Sequence, residues 1–427
     1  MTRGLEVSSS RFFASNSYRE MLLTVSKRLE FSASRRLYSP GKTAEENVAV
    51  FGAESGARYG TGRNYVAFFV LSGAVDPANG MLVNISEIKR RAGEVLLANF
   101  DHKFLNEDHP AFREQPPTAE NVARSLFLET ASRFGDLGAE LVACHLQETP
   151  ERSATYYASG MVEGNHWLAF SAARQTMSPH LSAQENKEHF GIAASPHGHG
   201  HHYRARLTFR GANSQPAELL VPQRELSAVI ASLRAELDHK NLNREVGGLT
   251  NRPMTTESLA QYVHERVTAE LPLDRVRLHE REDFFAEYWT NGERYLGLRE
   301  SFCAAHRLHA GELSVEENTS LYGKCNNPKG HGHRYLTEAT ITGRYDERSG
   351  TLYDFRQFQE GVGEALQPWQ DRHLDLETEE FLTQPSTGEN IVRVLWPKFD
   401  RRLDHQLTRF RLWETPNNRF TLRLTSK

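Results

Sequence analysis

The stretch Tyr322–Tyr335, YGKCNNPKGHGHRY, decides how this chain is read. It carries one cysteine, Cys325, and two histidines, His331 and His333, with a single glycine between them. Side chains two apart on a strand share a face, so both imidazoles can address one point. Gly330 and Gly332 take away side chains that would crowd that approach. A third imidazole, His306, stands upstream in FCAAHRL (Phe302–Leu308). Three histidines that leave a fourth tetrahedral position open are a donor set for a catalytic Zn2+ rather than a structural one.

Outward from this stretch the chain repeats itself. FCAAHRL is preceded by FSASRRL (Phe31–Leu37) and FSAARQT (Phe170–Thr176). PKGHGHRY (Pro328–Tyr335) is preceded by RYGTGRNY (Arg58–Tyr65) and PHGHGHHY (Pro196–Tyr203). FDHKFLN around Asp101, LDHKNLN around Asp238 and, more loosely, WQDRHLD from Trp369 form a third series. Each unit closes on an alternating strand that ends in glutamate: Glu148, Glu280 and Glu414, spaced 132 and 134 residues apart. The order is kept in every unit, so the chain is predicted to hold three tandem domains, at 21–155, 163–292 and 296–427.

Each unit reads β-β-α-α-β-β. Tyr335–Tyr345 alternates with period two, as a half-buried strand does. In Met81–Phe100 the apolar residues Ile85, Ile88, Val95 and Leu96 recur at helical spacing, with Asn84 as N-cap. A second helix is predicted after Thr118, Thr255 and Thr387, each followed closely by a glutamate. The fold class is α+β: antiparallel sheets with helices on one face only, which must bury the other face elsewhere.

FCAAHRL followed by YGKCNNPKGHGHRY resembles the 6-pyruvoyltetrahydropterin synthase family, the tunnelling or T-folds. The resemblance implies that His306, His331 and His333 hold Zn2+ and that Cys325 is the thiol that moves protons. It implies that an Asp–His pair in the LDHKNLN run reaches that cysteine from a neighbouring subunit, and that Glu414 accepts hydrogen bonds from the 2-amino and ring N–H groups of a pterin. It also implies three units closing into a ring around a tunnel, with two rings stacked. A chain holding three units can close that ring within one polypeptide, as a pseudo-trimeric barrel with helices outside, and is expected to pair into a homodimer.

The units have diverged. In the first, the three zinc positions hold Arg35, Thr61 and Arg63, and the cysteine position holds Ser55; guanidiniums repel a dication and cannot become ligands. In the second, His199 and His201 remain, but Arg174 stands at the third position and Ala193 at the cysteine's. The third unit has the full set but carries Gln370 and Asp371 where the first two keep Asp101–His102 and Asp238–His239. If each unit lends its pair to the next, Asp238 and His239 serve Cys325, and Thr255 and Thr256 of the fuller Thr-Thr-Glu run contact substrate. Asp101 and His102 are the alternative. The implied reaction is a zinc-dependent carbon–oxygen lyase step on 7,8-dihydroneopterin triphosphate, with loss of triphosphate, and Lys324 and Lys329 are placed to meet that group. One alternative is the 6-carboxytetrahydropterin synthase branch of queuosine and deazaguanine synthesis, against which the five residues between Cys325 and His331 weigh. The other is a non-catalytic pterin-binding protein.

Composition sets the remaining bounds. At 427 residues, 38% hydrophobic and 25% charged, the chain reads as soluble, globular and multi-domain. A net charge of −4 gives no electrostatic reason to expect nucleic acid, and no apolar run approaches a membrane span. Three cysteines beside 19 histidines favour a reducing, cytoplasmic setting and metal or thiol chemistry; Cys144 and Cys303 are expected to be small core residues. Residues 1–20 have acidic Glu6 and Glu20 and no apolar core, so no signal peptide is expected.

Overall fold

The computed structural model describes residues 20–212 and 219–425; the N-terminal stretch read for targeting signals, residues 1–19, lies outside them. Each repeat gives four strands to one closed barrel. The first repeat supplies β1 (Met21–Arg35), β2 (Thr61–Gly73), β3 (Ala139–Thr149) and β4 (Arg152–Tyr157). The second supplies β5 (Met161–Arg174), β6 (His199–Ala212), β7 (Arg275–His279) and β8 (Phe284–Trp289). The third supplies β9 (Arg294–His306), β10 (His331–Ile341), β11 (Leu407–Thr415) and β12 (Asn418–Leu424). Strands follow one another around the ring in chain order, every neighbouring pair antiparallel. Repeats join through β4–β5 and β8–β9, and β12 closes on β1 with Met21 opposite Leu424. The edges a lone repeat would expose are paired within the chain, which is how a barrel removes edge strands.

Strand alternation sorts the two faces. Tyr65, Ala67, Phe69 and Leu71 of β2 are 0% exposed and pack outward against helices; their alternates point into the lumen. Ring pairs mark the pseudo-symmetry: Phe31–Tyr65, Phe170–Tyr203 and Phe302–Tyr335 stack at 4.9, 5.1 and 4.9 Å, each at 15°. Truncating one of these buried phenylalanines to alanine should cost about 3–5 kcal/mol. Cys144 is in this outer core, but Cys303 is exposed, because it falls on the opposite strand face from Phe302 and Ala304 and so looks into the lumen.

Among the described residues the helices of eight residues or more are, in chain order, α1 (Ala44–Phe51), α2 (Ile85–Asn99), α3 (Ala119–Thr130), α4 (Ala183–Phe190), α5 (Gln223–Leu237), α6 (Thr256–Thr268), α7 (Val315–Tyr322), α8 (Phe355–Leu366) and α9 (Gly388–Arg402). Asn84 caps α2, and Thr118, Thr255 and Thr387 cap α3, α6 and α9. The β-β-α-α-β-β pattern lacks α1, α4 and α7, which lie in the connection between each repeat's first two strands. All three open with a capping box: Thr43 with Glu46, Ser182 with Glu185, Ser314 with Glu317. No described helix is long and apolar enough to cross a membrane.

The repeats lean on one another in one rotational sense. Thr255 Oγ1 donates to Gly350 O and Thr387 Oγ1 to Gly80 O, both at 2.6 Å. Beside them, Leu352 N donates to Glu257 Oε1 at 3.1 Å and Leu82 N to Glu389 Oε1 at 3.0 Å. The second repeat therefore docks against the third, and the third against the first.

Candidate active site

β9 ends at His306 and β10 starts at His331, directly opposite each other in register. Gly330 precedes them with φ +70°, and a Cβ there would lie 2.9 Å from the His306 carbonyl, so the turn into β10 requires glycine. His306 is 0% exposed, and its Nδ1 sits 3.1 Å from the Ser386 carbonyl. That bond places the proton on Nδ1 and leaves the Nε2 lone pair facing inward. His306 Nε2 and His331 Nε2 are 3.2 Å apart, close to the roughly 3.3 Å expected between two nitrogens on a tetrahedral zinc. One ring nitrogen from each of His306, His331 and His333 lies within 4.8 Å of the others. His333 Nε2 and His331 Nδ1 are buried without a hydrogen-bond partner. Burial pushes the His306 imidazole down to about 4 and lowers that of His331, so both are neutral at pH 7, as ligation requires. The residues present fit a zinc ion.

Glu414, at the end of β11, completes the wall. Its Oε1 is 3.8 Å from His306 Nε2 and 3.9 Å from His333 Nε2, and Asn418 Nδ2 donates to its Oε2 at 3.0 Å. Cys325 lies half-buried on the turn after α7. Burial first, then the Glu414 charge, pushes its thiol up, with Lys324 opposing. Ser386, Asn418 and the buried Glu389 are partners that sequence reasoning missed; the glutamate two residues after Thr118, Thr255 and Thr387 pointed at Glu389, while nothing local marked Ser386 or Asn418.

In the other two repeats guanidiniums stand at the place of the His306 imidazole. Arg35 faces Thr61 and Arg174 faces His199 in the same register as His306 and His331. In the first repeat the Arg35 guanidinium is buried and ion-paired with Glu148, and its Nη1 reaches Glu54 at 2.6 Å. Arg63 adds a bond to Glu54 at 3.1 Å. In the second, Arg174 Nη2 meets Glu280 at 2.5 Å while His201 Nε2 lies 2.9 Å from the other carboxylate oxygen. His199, His201 and Glu280 are near enough to hold a cation, but both Glu280 oxygens are engaged. This pocket stays open, at about 700 Å³, with Tyr353, Phe355 and Arg356 of the third repeat in its wall. Glu148 and Glu280 thus both pair with guanidiniums.

Thr255 and Thr256 belong to this second pocket and do not approach the His306 cluster: Thr256 Oγ1 hydrogen-bonds Glu280. In the third repeat the helix cap at that place is Thr387. Asp238 and Asp101 hold their histidines at 2.9 Å, and the imidazoles of His239 and His102 are 84% and 83% exposed. The grooves around them are lined by their own repeats. Gln370 takes the same structural place: Cys303 N donates to it as Ser171 N does to Asp238 and Ser32 N to Asp101. The repeat beside the third pocket is the first, not the second.

The family "6-pyruvoyl tetrahydropterin synthase" matches this chain three times, at residues 24–159, 168–291 and 295–424. Drosophila melanogaster 6-pyruvoyl tetrahydrobiopterin synthase is 37% identical over 127 residues, 29% of this chain and 76% of the relative. The Homo sapiens protein of that name is 38% identical over 122 residues, 28% of this chain and 84% of the relative. The solved structure of Caenorhabditis elegans 6-pyruvoyl tetrahydropterin synthase aligns at 34% identity and a TM-score of 0.29, covering 31% of this chain and 95% of its own. Each relative spans about one repeat, and the three matches together cover most of the described residues. The chain belongs to the 6-pyruvoyl tetrahydropterin synthase family, with three of its units in one polypeptide.

Proposed function

We propose that the third repeat carries the working site of a zinc-dependent lyase that acts on 7,8-dihydroneopterin triphosphate, eliminates triphosphate and yields 6-pyruvoyltetrahydropterin. The observation that carries this reading is the convergence of His306, His331 and His333 on one point beside Glu414, with His333 Nε2 buried and unpartnered. A zinc ion held there would act as a Lewis acid and lower the pKa of a substrate hydroxyl. Glu414, fixed by Asn418, offers a carboxylate to the 2-amino and ring N–H donors of the pterin, which discriminates against rings lacking them. Cys325 takes and returns a side-chain proton from the rim of the pocket.

The acid–base partner is Asp238–His239, with Asp101–His102 as the alternative, and it arrives from a second chain. Both imidazoles are exposed near the barrel end at which β5 and β9 finish, the end that carries the His306 cluster. Tyr59 and Ile192 of the loops there are 85% and 94% exposed, apolar surface that a face-to-face partner would cover. Incubating zinc-loaded protein with dihydroneopterin triphosphate and identifying products by mass spectrometry tests the reading. Pyruvoyl product supports it; carboxy product with acetaldehyde, or no turnover, contradicts it.

A further inference from the structure

The barrel lumen carries a charge pattern that the pterin site does not use. Because Tyr203, Leu207, Val276, Phe410 and Phe420 point outward into the core, their alternates point inward. On β6, β7, β11 and β12 those alternates include Arg206, Arg277, Arg409, Arg411, Arg419 and Arg423. Arg206 stands directly opposite Arg277, and Arg409 directly opposite Arg423, placements at which like charges destabilise a sheet.

Carboxylates do not balance them. Glu163 is taken by Arg275, at 2.9 and 2.7 Å. Glu287 is shared by Arg277 at 2.6 Å and Arg409 at 3.3 Å, and Glu338 by Arg299 at 2.9 Å and Arg411 at 2.8 Å. Among the described residues neither Arg206 nor Arg419 has a carboxylate within hydrogen-bond reach. The Nε atoms of Arg206, Arg409, Arg411 and Arg419 are buried without a partner. The adjoining wall, from the first repeat, offers Ser26 directly opposite Arg419, Phe68 with its ring 5.8 Å from the Arg419 guanidinium, and His145; burial, then Arg419 and Arg206, keeps that imidazole neutral.

These guanidiniums are not sealed in. The side chains of Arg409 and Arg411 are 19% and 21% exposed, and their outward neighbours are core, so the exposed ends face the lumen. Arginine cannot shed its proton to escape such crowding. We propose that the lumen binds a linear inorganic polyphosphate anion of the triphosphate class, bridging Arg206 of the second repeat and Arg419 of the third. Guanidinium forks match phosphate oxygens, and one multivalent anion neutralises charges that come from separate strands. The inference stands independently of the proposed reaction.

Calorimetric titration of metal-stripped protein with inorganic triphosphate, at low ionic strength, tests it. About one triphosphate per chain is expected, with a rise in unfolding temperature. In Arg206→Gln/Arg419→Gln the affinity should fall at least tenfold, while stability in phosphate-free buffer is equal to or above that of the parent chain. Arg419→Gln alone serves if the double variant does not fold. Absence of binding, full affinity in the variants, or an equal effect from sodium chloride at matched ionic strength would each overturn the proposal.

Discussion

The hydroxyl of Tyr322, three residues before Cys325, donates to the carbonyl of Asn79 in the first repeat at 2.6 Å. The third repeat's pocket is thereby closed by a segment more than two hundred residues away in the chain, and Asn84 Nδ2 reinforces the contact by donating to Leu321 O. Tyr322→Phe should leave that carbonyl unmatched and cost about 1 kcal/mol, read by urea unfolding, with KM raised more than kcat is lowered.

Cys325→Ala should lower turnover by at least about a hundredfold while bound zinc stays unchanged, because Cys325 is outside the imidazole cluster. Parallel loss of metal would instead make the thiol a ligand. Product formation and metal content measured on one preparation separate the two.

The acid–base pair is testable by mixing chains. His239→Ala and Cys325→Ala should each be nearly inactive. If the pair acts across a two-fold dimer, a mixture should regain about a quarter of full activity, since half the dimers are mixed and one of their two sites is whole. No recovery would place the pair within one chain. Ile192→Asp with Tyr59→Asp should shift the dimer to monomer on sizing, with activity falling together with it.

Two buried carboxyls set a pH dependence. Burial pushes Glu257 and Glu389 up from 4.5 to about 7, where each accepts a backbone N–H from the next repeat. Folded, they hold protons that the unfolded chain has released, so stability should fall as pH rises from about 4.5 to about 7 and level off above it. Glu257→Gln and Glu389→Gln, which keep the acceptor, should flatten that slope in thermal melts taken across this range. An unchanged slope would show that neither carboxyl titrates there.

The barrel was legible in the sequence because triplication repeats every signal: Phe31, Phe170 and Phe302 fall at one place in three units, and their stacking partners follow at a near-constant distance. The imidazole cluster was legible because HxH on a strand dictates which imidazoles share a face. Helices α1, α4 and α7 are written in their capping boxes, but eight residues carry too little apolar periodicity to register as helix. Contacts between repeats were not legible. Nothing near Thr255 says that its pocket is the second repeat's, and nothing near Asn79 says that it caps the third; both follow from the rotational sense in which the ring closes.

The central claim is that one pocket of three holds metal, and counting zinc per chain by plasma mass spectrometry tests it most directly. The account predicts one zinc per chain in the parent protein and in His199→Ala, and none in His331→Ala. Two or three zincs per chain, or zinc retained in His331→Ala, would contradict it.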